Sequence, residues 1–316
     1  MARAVDLTRL GTTGLEVFPL CLGGNVFGWT IDEAQSFEVL DAYADAGGNF
    51  IDTADVYSAW AAGNRGGESE TIIGRWMAAR GNREEMIIAT KVGTLQGTEG
   101  LSASSIRKGV QTSLRRLGLD RIDLYYAHFD DLGTEQLETI RAFDALVSEG
   151  KVRHVGASNF TSERLAAALA LSRREGLTEY VALQTHYNLV NRADYEGPLA
   201  HLCAEHGLAC MPYWALASGF LSGKYRRGDA LQGPRAEEVR PYLNERGFGV
   251  LEALYAVARP RGAAVGAVAL SWLMTQPTVV APVVSATSPA QLSELLGSLG
   301  LMLTADELAR LNAASL

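Results

Sequence analysis

The sequence is poor in cysteine and in net positive charge, and both shortages exclude classes of protein. Only three cysteines occur among 316 residues, namely Cys21, Cys203 and Cys210. This odd, sparse count argues against a disulfide framework and favours reduced thiols in the cytoplasm. The formal net charge of -8 argues against a broad surface for nucleic acid or anionic membrane. A local basic pocket for a phosphate group stays compatible with it.

Long hydrophobic runs and low-complexity tracts are also missing. The first ten residues include Arg3, Asp6 and Arg9 and have no apolar centre, so we expect no secretory signal. The most apolar later segment, Ala263 to Met274, is too short to span a bilayer. No Pro- or Ser-rich linker and no solenoid-type repeat interrupts the chain, which predicts a single domain over residues 1–316.

What the sequence does contain is a regular alternation of short apolar runs and helical patterns. With 47% hydrophobic residues, the chain can bury a large core. The predicted strands are Pro19–Leu22, Asn49–Asp52, Met86–Thr90, Ile122–Ala127, Val152–Ala157, Val181–Leu183, Leu208–Pro212 and Thr278–Val284. The predicted helices are Asp32–Ala46, Glu68–Arg80, Ser102–Leu117, Thr134–Glu149, Thr161–Glu175, Leu199–His206, 249–258, 266–276, Ser288–Leu296 and Thr304–Ala313. This alternation predicts a (β/α)8 TIM barrel, preceded by a β-hairpin that turns at Thr12-Thr13-Gly14.

Polar residues lie at the carboxyl ends of the apolar runs. These residues are Asp52, Lys91, His128, Ser158, Asn159, Gln184, Tyr213 and Ser285. Each has an ordinary structural explanation by itself: Lys91 as a strand end that reaches solvent, His128 as a core histidine, and Ser158-Asn159 as the start of a helix. Because barrel enzymes place their active sites at the carboxyl ends of the strands, the set together predicts one shared pocket.

Three of these residues, together with Tyr57, suggest a proton donor for a carbonyl. Tyr57 follows Asp52 by five positions, and a phenol is a poor acid at neutral pH because its ordinary pKa is about 10. A neighbouring ammonium from Lys91, held by Asp52, is expected to lower that pKa. His128 can then hydrogen-bond the substrate oxygen. Since no side chain supplies a hydride, a nicotinamide cofactor is implied.

Over nearly its whole length the chain resembles the aldo-keto reductase superfamily. The motifs that carry the resemblance are Gly48-Asn49-Phe50-Ile51-Asp52-Thr53-Ala54 with Tyr57; Ala89-Thr90-Lys91; Ile122-Asp123-Leu124 through His128; Gly150-Lys151-Val152-Arg153; Gly156-Ala157-Ser158-Asn159-Phe160; Gln184 with Tyr187-Asn188; and Leu216-Ala217-Ser218-Gly219-Phe220-Leu221-Ser222-Gly223-Lys224-Tyr225. The resemblance implies that Tyr57 is the acid/base, that Lys91 and Asp52 support it, and that His128 is the active-site histidine.

The resemblance also implies cofactor contacts. Ser158, Asn159 and Gln184 match residues that bind the nicotinamide carboxamide, and Tyr213 matches the aromatic residue that stacks on the ring. The remaining positions are Leu216 and Ser218 in the pyrophosphate loop, Lys224 and Arg235 as basic partners for phosphate, and Ser285, Thr287, Gln291 and Glu294 at the adenosine end.

Two departures from the family pattern concern specificity. Members that prefer NADP often carry Lys or Arg in the segment that corresponds to Ser285–Gln291, and this chain has neither there. Lys224 and Arg235 could still hold a 2′-phosphate, so the expected cofactor is NADP, with NAD as the alternative. Trp214 replaces a small residue of many relatives, either as a pocket wall or as packing.

Two other motifs are weaker. The segment Gly219 to Tyr225 resembles a phosphate loop but is one residue short and lacks the Ser or Thr that binds Mg²⁺. His201, Cys203, His206 and Cys210 have the residue types of a zinc site, but they span a predicted helix and the next strand. We therefore predict no metal.

The predicted function is reduction of an aldehyde, ketone or sugar carbonyl, or the reverse oxidation, by a cytoplasmic monomer or homo-oligomer that binds neither nucleic acid nor membrane. Two alternatives remain open: a nicotinamide-binding regulatory protein that resembles channel β subunits, and a barrel lyase that uses Lys91 as a Schiff base. Three variable loops, about 59–67, 129–133 and 226–246, are expected to shape the substrate pocket.

Overall fold

The computed structural model describes residues 5–228, 233 and 235–316. Its strands are β1 (Thr8–Arg9), β2 (Glu16–Val17), β3 (Cys21–Gly23), β4 (Phe50–Asp52), β5 (Ile87–Val92), β6 (Ile122–Ala127), β7 (Val152–Ser158), β8 (Tyr180–His186), β9 (Ala209–Tyr213) and β10 (Val283–Val284). Its α-helices are α1 (Glu33–Asp45), α2 (Glu68–Arg80), α3 (Ala103–Leu117), α4 (Gln136–Ser148), α5 (Ser162–Glu175), α6 (Pro198–His206), α7 (Ala236–Val239), α8 (Glu245–Arg261), α9 (Val265–Met274), α10 (Pro289–Leu296) and α11 (Ala305–Ser315).

Strands β3 to β10 form a nearly closed parallel barrel. The strand order is β10-β3-β4-β5-β6-β7-β8-β9, so β10 pairs with β3 at one end of the sheet. The other gap is bridged between Cys210 of β9 and Val279, with the Cys210 amide 2.8 Å from the Thr278 carbonyl oxygen. The fold is therefore the predicted (β/α)8 TIM barrel, with helices around the sheet.

The β-hairpin lies at the amino end of the barrel. Strands β1 and β2 pair antiparallel across the turn at Thr13, where Thr13 Oγ1 donates to the Leu10 carbonyl oxygen at 2.6 Å. Leu10, Leu15 and Val17 join the same apolar cluster as the inward-facing residues of the barrel strands. The predicted hairpin is thus confirmed, and it buries the end of the barrel that faces away from the strands' carboxyl ends.

Helix starts follow the side chains available for capping. Asp32 accepts from the Gln35 amide at 2.9 Å, and Thr304 caps α11 in the same way through Glu307. These reciprocal capping boxes satisfy amide groups that a helix start otherwise leaves unpaired. The prediction of α2 matches the observed helix, while α8 is longer than predicted because the Asn244 side chain caps it at Gly247.

Two predicted segments differ from the structure. The last strand was predicted over Thr278–Val284 but is regular only at Val283–Val284. Pro277 and Pro282 lack the amide hydrogen that a strand ladder requires, so the rest of the segment makes a single isolated bridge, between Val279 and Cys210. The predicted loop at about 226–246 contains α7, and part of that loop lies outside the described residues. In the described ranges no helix has both the length and the apolar character needed to cross a bilayer.

Candidate active site

Lys91 joins three groups at the carboxyl end of the barrel. Its Nζ donates to Asp52 Oδ2 at 2.6 Å, to the Thr53 carbonyl oxygen at 2.8 Å and to Tyr57 Oη at 2.9 Å. The Lys91 and Asp52 side chains are each 1% exposed, so this ion pair is fully buried. A buried ammonium with three acceptors is satisfied in all of its hydrogen-bonding directions.

Tyr57 reaches Lys91 from the tight turn that follows β4. The Tyr57 amide donates to the Ala54 carbonyl oxygen at 3.1 Å, and the Tyr57 carbonyl oxygen accepts from Gly67 at 3.2 Å. The Lys91 ammonium lies 4.6 Å from the centre of the phenol ring. The turn and Gly67, the residue before α2, together hold the Tyr57 backbone so that its phenol oxygen reaches Lys91.

His128 lies beside the phenol ring, with the two ring centres 6.2 Å apart. Its Nδ1 is 3.1 Å from Thr94 Oγ1, which follows β5. Burial, assisted by the charge of Lys91, lowers the pKa of His128 to about 3. The imidazole is therefore neutral near pH 7 and can act as a hydrogen-bond donor without carrying charge.

The acidity of Tyr57 differs from the sequence-based expectation. Burial raises the pKa of the phenol above its ordinary value, and this effect outweighs the opposing effect of the Lys91 ammonium. Burial acts to lower the pKa of Lys91, but the Asp52 carboxylate and Tyr57 together raise it above its ordinary value. Lys91 thus acts in the expected direction, but burial outweighs it. Periodicity in the sequence does not reveal how deeply the phenol oxygen is buried.

The four residues predicted to surround the nicotinamide lie at the ends of β7, β8 and β9. Gln184 Nε2 donates to Asp52 Oδ1 at 2.9 Å, so it also holds the carboxylate that pairs with Lys91. Asn159 Nδ2 donates to Ser158 Oγ at 3.0 Å, and Tyr213 Oη donates to Asn159 Oδ1 at 2.8 Å. The structure therefore joins Ser158, Asn159 and Tyr213 in one network and Gln184 to the Asp52–Lys91 pair.

The segment after β9 forms a sharply curved loop. Ala217 and Ser218 have left-handed backbone angles with φ of 49° and 54°, and Gly219 follows with φ of 94°. The half-buried Leu216 holds this turn, because its carbonyl oxygen accepts from Gly219 at 2.9 Å and from Leu221 at 3.1 Å. Successive residues of this kind make a concave backbone that suits an anion. The buried Ser218 Oγ has no partner within the described part of the chain.

Two basic side chains lie near this loop. A Cβ added at Gly219 would be 3.3 Å from Lys224 Nζ, and the Arg235 guanidinium lies 5.7 Å from the Trp29 ring centre. Arg235 contributes to a lowered pKa of Lys224, after the larger effect of burial, so the two cations are close in space. Neither makes an ion pair with any residue in the described ranges. The donors and charges present here fit the phosphates of a dinucleotide.

The last predicted cofactor residues follow β10. Ser285 Oγ donates to Asn25 Oδ1 and so joins the ends of β10 and β3. Gln291 Oε1 accepts from the Thr287 amide at 2.8 Å at the start of α10. Glu294 is exposed on that helix. Thr287, Gln291 and Glu294 thus share one rim of the barrel, apart from the Tyr57–Lys91 pair.

Aromatic residues around the pocket were not predicted as site residues. Trp60 contacts Tyr57 edge-on with ring centres 6.0 Å apart, and Trp29 contacts Trp60 at 5.5 Å. On the other side, Phe129 stacks on His128 at 5.2 Å. Trp60 and Phe129 are 50% and 51% exposed. The only sequence signal for these two residues was their position in loops next to predicted site residues, because no helix or strand periodicity includes them.

A second aromatic group surrounds Tyr213. The ring of His186 stacks on Tyr213 at 5.6 Å, and Trp214 contacts His186 edge-on at 5.1 Å. Trp214 has a left-handed backbone with φ of 49° and is 40% exposed, so it lies at the surface beside Tyr213 rather than in the core. No three His, Cys, Asp or Glu side chains in the described ranges are arranged to hold a metal ion.

The fold and the site define a parallel barrel with a buried Asp52–Lys91–Tyr57 group at its carboxyl end, and comparison with known proteins gives the family. The profile of the Aldo/keto reductase family matches residues 19–315. The chain therefore belongs to the aldo/keto reductase family.

Named relatives are similar over nearly the whole chain. Norsolorinic acid reductase of Aspergillus flavus is 32% identical over 96% of this chain and 79% of its own length. The uncharacterized oxidoreductase YrpG of Bacillus subtilis is 33% identical over 98% of this chain and 95% of its own. Aryl-alcohol dehydrogenase GME11368 of Pestalotiopsis microspora is 31% identical over 94% and 78% respectively.

Proposed function

We propose that this protein is an NAD(P)H-dependent reductase that converts the carbonyl of an aldehyde, ketone or sugar into an alcohol, or catalyses the reverse reaction. The observation that carries the proposal is the contact of Lys91 Nζ with both Asp52 and Tyr57 at the carboxyl end of the barrel. Family membership and oxidoreductase relatives support the reaction class. The three reduced thiols support a cytoplasmic location.

Tyr57 is the proposed acid in reduction. The hydride for the carbonyl carbon would come from a reduced nicotinamide held by Ser158, Asn159, Gln184 and Tyr213. Tyr57 Oη gives its proton to the carbonyl oxygen, so the products are an alcohol and a tyrosinate that regains its proton from solvent. The Lys91 ammonium stabilises the tyrosinate, and Asp52 keeps Lys91 charged and directed at it.

His128 orients the carbonyl in this proposal. Because the imidazole is neutral, only one of its ring nitrogens carries a proton. If the Thr94 hydroxyl donates to Nδ1, the proton is on Nε2, which is then free to donate to the substrate oxygen. A neutral donor lowers the energy of the developing alkoxide without competing with Tyr57 as the proton source.

The proposed cofactor is NADP. Two cations close together, Lys224 and Arg235, lack ion-pair partners in the described ranges and adjoin the concave loop at Ser218. Ser158, Asn159, Gln184 and Tyr213 are the proposed nicotinamide contacts, with Leu216 and Ser218 at the pyrophosphate. The rim residues Ser285, Thr287, Gln291 and Glu294 are the proposed adenosine contacts.

We further propose an aromatic or flat apolar carbonyl compound as the substrate. Trp60 contacts the proposed acid and Phe129 the histidine, while Trp29 packs on Trp60, and both Trp60 and Phe129 expose about half of their surface. Aromatic rings favour edge-on or offset packing against other rings. Relatives named for norsolorinic acid reduction and aryl-alcohol dehydrogenation agree with such a substrate.

The decisive experiment compares Tyr57→Phe with Tyr187→Phe, a control that removes another tyrosine hydroxyl in a different contact, with Glu196. Turnover of a benzaldehyde panel with NADPH is measured together with NADPH affinity by fluorescence. We expect Tyr57→Phe to lose at least about 100-fold in kcat while it still binds NADPH. Normal turnover in Tyr57→Phe would overturn the acid/base assignment.

Trp60→Ala, assayed with aromatic and short aliphatic aldehydes, separately tests the substrate class.

A further inference from the structure

A buried polar cluster lies directly outside the barrel wall at β5. Its three ionisable members are Asp55 from the turn before Tyr57, Glu70 from the first turn of α2 and Arg116 from the last turn of α3. Arg116 Nη1 is 3.1 Å from Glu70 Oε2, and the Glu70 side chain is completely buried. The mechanism proposed above assigns no role to these residues.

Arg116 holds the turn that carries Tyr57. Its Nη1 also donates to the Asp55 carbonyl oxygen at 3.2 Å. The guanidinium packs against Gly67 so closely that a Cβ there would be 2.1 Å from Arg116 Cζ. The Gly67 amide in turn donates to the Tyr57 carbonyl oxygen at 3.2 Å. Arg116 therefore contacts the backbone on both sides of the residue that supplies the phenol.

Glu70 connects the same arginine to the strand that carries Lys91. Thr90 Oγ1, next to Lys91 in β5, donates to Glu70 Oε1 at 2.7 Å. The Asp55 amide donates to the Lys91 carbonyl oxygen at 3.2 Å and closes the loop of contacts. Arg116 and Glu70 thus connect the turn that carries Tyr57 to the strand that carries Lys91. We call this set of contacts, through Arg116, Glu70 and Thr90, the frame.

The charges that face Asp55 come from several elements. Glu70 on α2, Arg116 on α3 and Lys91 on β5 all influence its carboxyl group, and the Tyr125 hydroxyl of β6 is nearby. Asp55 is 1% exposed, and neither carboxyl oxygen has a hydrogen-bond partner in the described part of the chain. Because Asp55 takes no part in the frame through its side chain, the frame depends on Arg116 and Glu70.

We propose that Arg116 and Glu70 are positioning residues for the reaction, holding the turn that carries Tyr57 against the strand that carries Lys91. This inference rests on the proposed function. A phenol that drifts from the ammonium loses both its orientation toward the substrate and the stabilisation of its ionised form. Loss of the frame is expected to slow the chemical step rather than to weaken substrate binding.

The test uses Arg116→Gln and the milder Thr90→Val, which removes only the hydroxyl contact with Glu70. We expect kcat to fall by about 10- to 100-fold in Arg116→Gln and by about threefold in Thr90→Val, with KM for the carbonyl nearly unchanged. The pKa of Tyr57, followed by NMR of ¹³C-labelled tyrosine and assigned with Tyr57→Phe, should rise in both variants. Arg116→Lys, which keeps the charge but not the planar fork, should recover part of kcat.

The matched control is Arg83→Gln. Arg83 pairs with the buried Asp123 at 2.9 Å and is 26% exposed, against 22% for Arg116, but it lies at the amino end of the barrel strands. Arg83→Gln should lower Tm about as much as Arg116→Gln does, but it should leave kcat and the pKa of Tyr57 unchanged. The inference is overturned if Arg116→Gln keeps wild-type kcat and Tyr57 pKa, or if Arg83→Gln lowers kcat as much. Absence of turnover in the wild type would instead overturn the proposed function, while the NMR titration would still report on positioning.

Discussion

Lys91 Nζ is 2.6 Å from a carboxylate oxygen of Asp52 and 2.9 Å from the phenol oxygen of Tyr57, although 39 and 34 residues separate these partners along the chain. The ammonium therefore has two tasks, to neutralise a buried carboxylate and to stabilise an ionised phenol. Removal of Lys91 or of Asp52 leaves the other charge in an environment that cannot solvate it.

Lys91→Met should destabilise the protein as well as inactivate it. The substitution leaves the Asp52 carboxylate buried without its cation, which typically costs about 3–5 kcal/mol in the free energy of unfolding. The double variant Asp52→Asn/Lys91→Met removes both charges and should recover most of that loss. Urea denaturation measures the stability, and a carbonyl assay measures turnover. Recovery of turnover in the double variant would contradict the proposed role of Lys91.

His128 should stay neutral over the working pH range. Its pKa is about 3 in the folded protein and about 6.5 in an unfolded chain. Stability from the neutral imidazole is therefore present above pH 6.5 and is lost as the pH falls toward 3. NMR of the His128 ring, assigned with His128→Gln, should show no titration above about pH 4. A titration near pH 6.5 would contradict the buried geometry.

Asp55→Asn should change the pH dependence of stability. Burial, with the nearby Glu70 carboxyl, raises the pKa of Asp55 to about 8, so the folded protein retains a proton that the unfolded chain releases at about pH 4. This contribution to stability is complete below pH 4 and is lost between pH 4 and 8, at up to about 1.4 kcal/mol per pH unit. Asn cannot titrate, so the variant should gain relative stability across that window.

Asp131→Asn is the control with the opposite sign. The Thr134 hydroxyl, followed by the Leu101 amide, lowers the pKa of Asp131 below its ordinary value. Its ionised form therefore stabilises the fold above about pH 4, and the variant should lose relative stability there. Urea denaturation of both variants from pH 4 to 9 gives the comparison. Parallel pH profiles for Asp55→Asn and the wild type would mean that Asp55 titrates normally.

Lys224→Met and Arg235→Met should weaken NADPH binding more than NADH binding. A charge-assisted hydrogen bond to phosphate contributes about 1.5–3 kcal/mol, so each loss should raise the Kd for NADPH by at least tenfold. Arg75→Met, which removes an exposed cation paired with Glu33, should leave both affinities unchanged. Fluorescence titration measures the constants. Equal affinity of the wild-type protein for NADH and NADPH would rule out the 2′-phosphate assignment.

The order of elements in this protein was predictable because each element has a local signal. Residues Ile122–Ala127 and Glu68–Arg80 match the observed strand and helix, since an apolar run marks the strand and the left-handed Gly81 ends the helix. The last strand was predicted too long because Pro277 and Pro282 limit its pairing. The residues of the pocket could also be found, because parallel strands of a barrel end on the same side.

Only the tertiary structure decided how those residues interact. The pKa of Tyr57 depends on the depth of its oxygen as well as on Lys91, and no sequence pattern reports that depth. Arg116 reaches Glu70 and the Asp55 backbone across 46 and 61 residues, through side chains that have no periodicity of their own. The sequence by itself determined the barrel and which side chains line its carboxyl end. Packing decided their distances, their charge states and the aromatic walls around them, because these depend on contacts between distant segments.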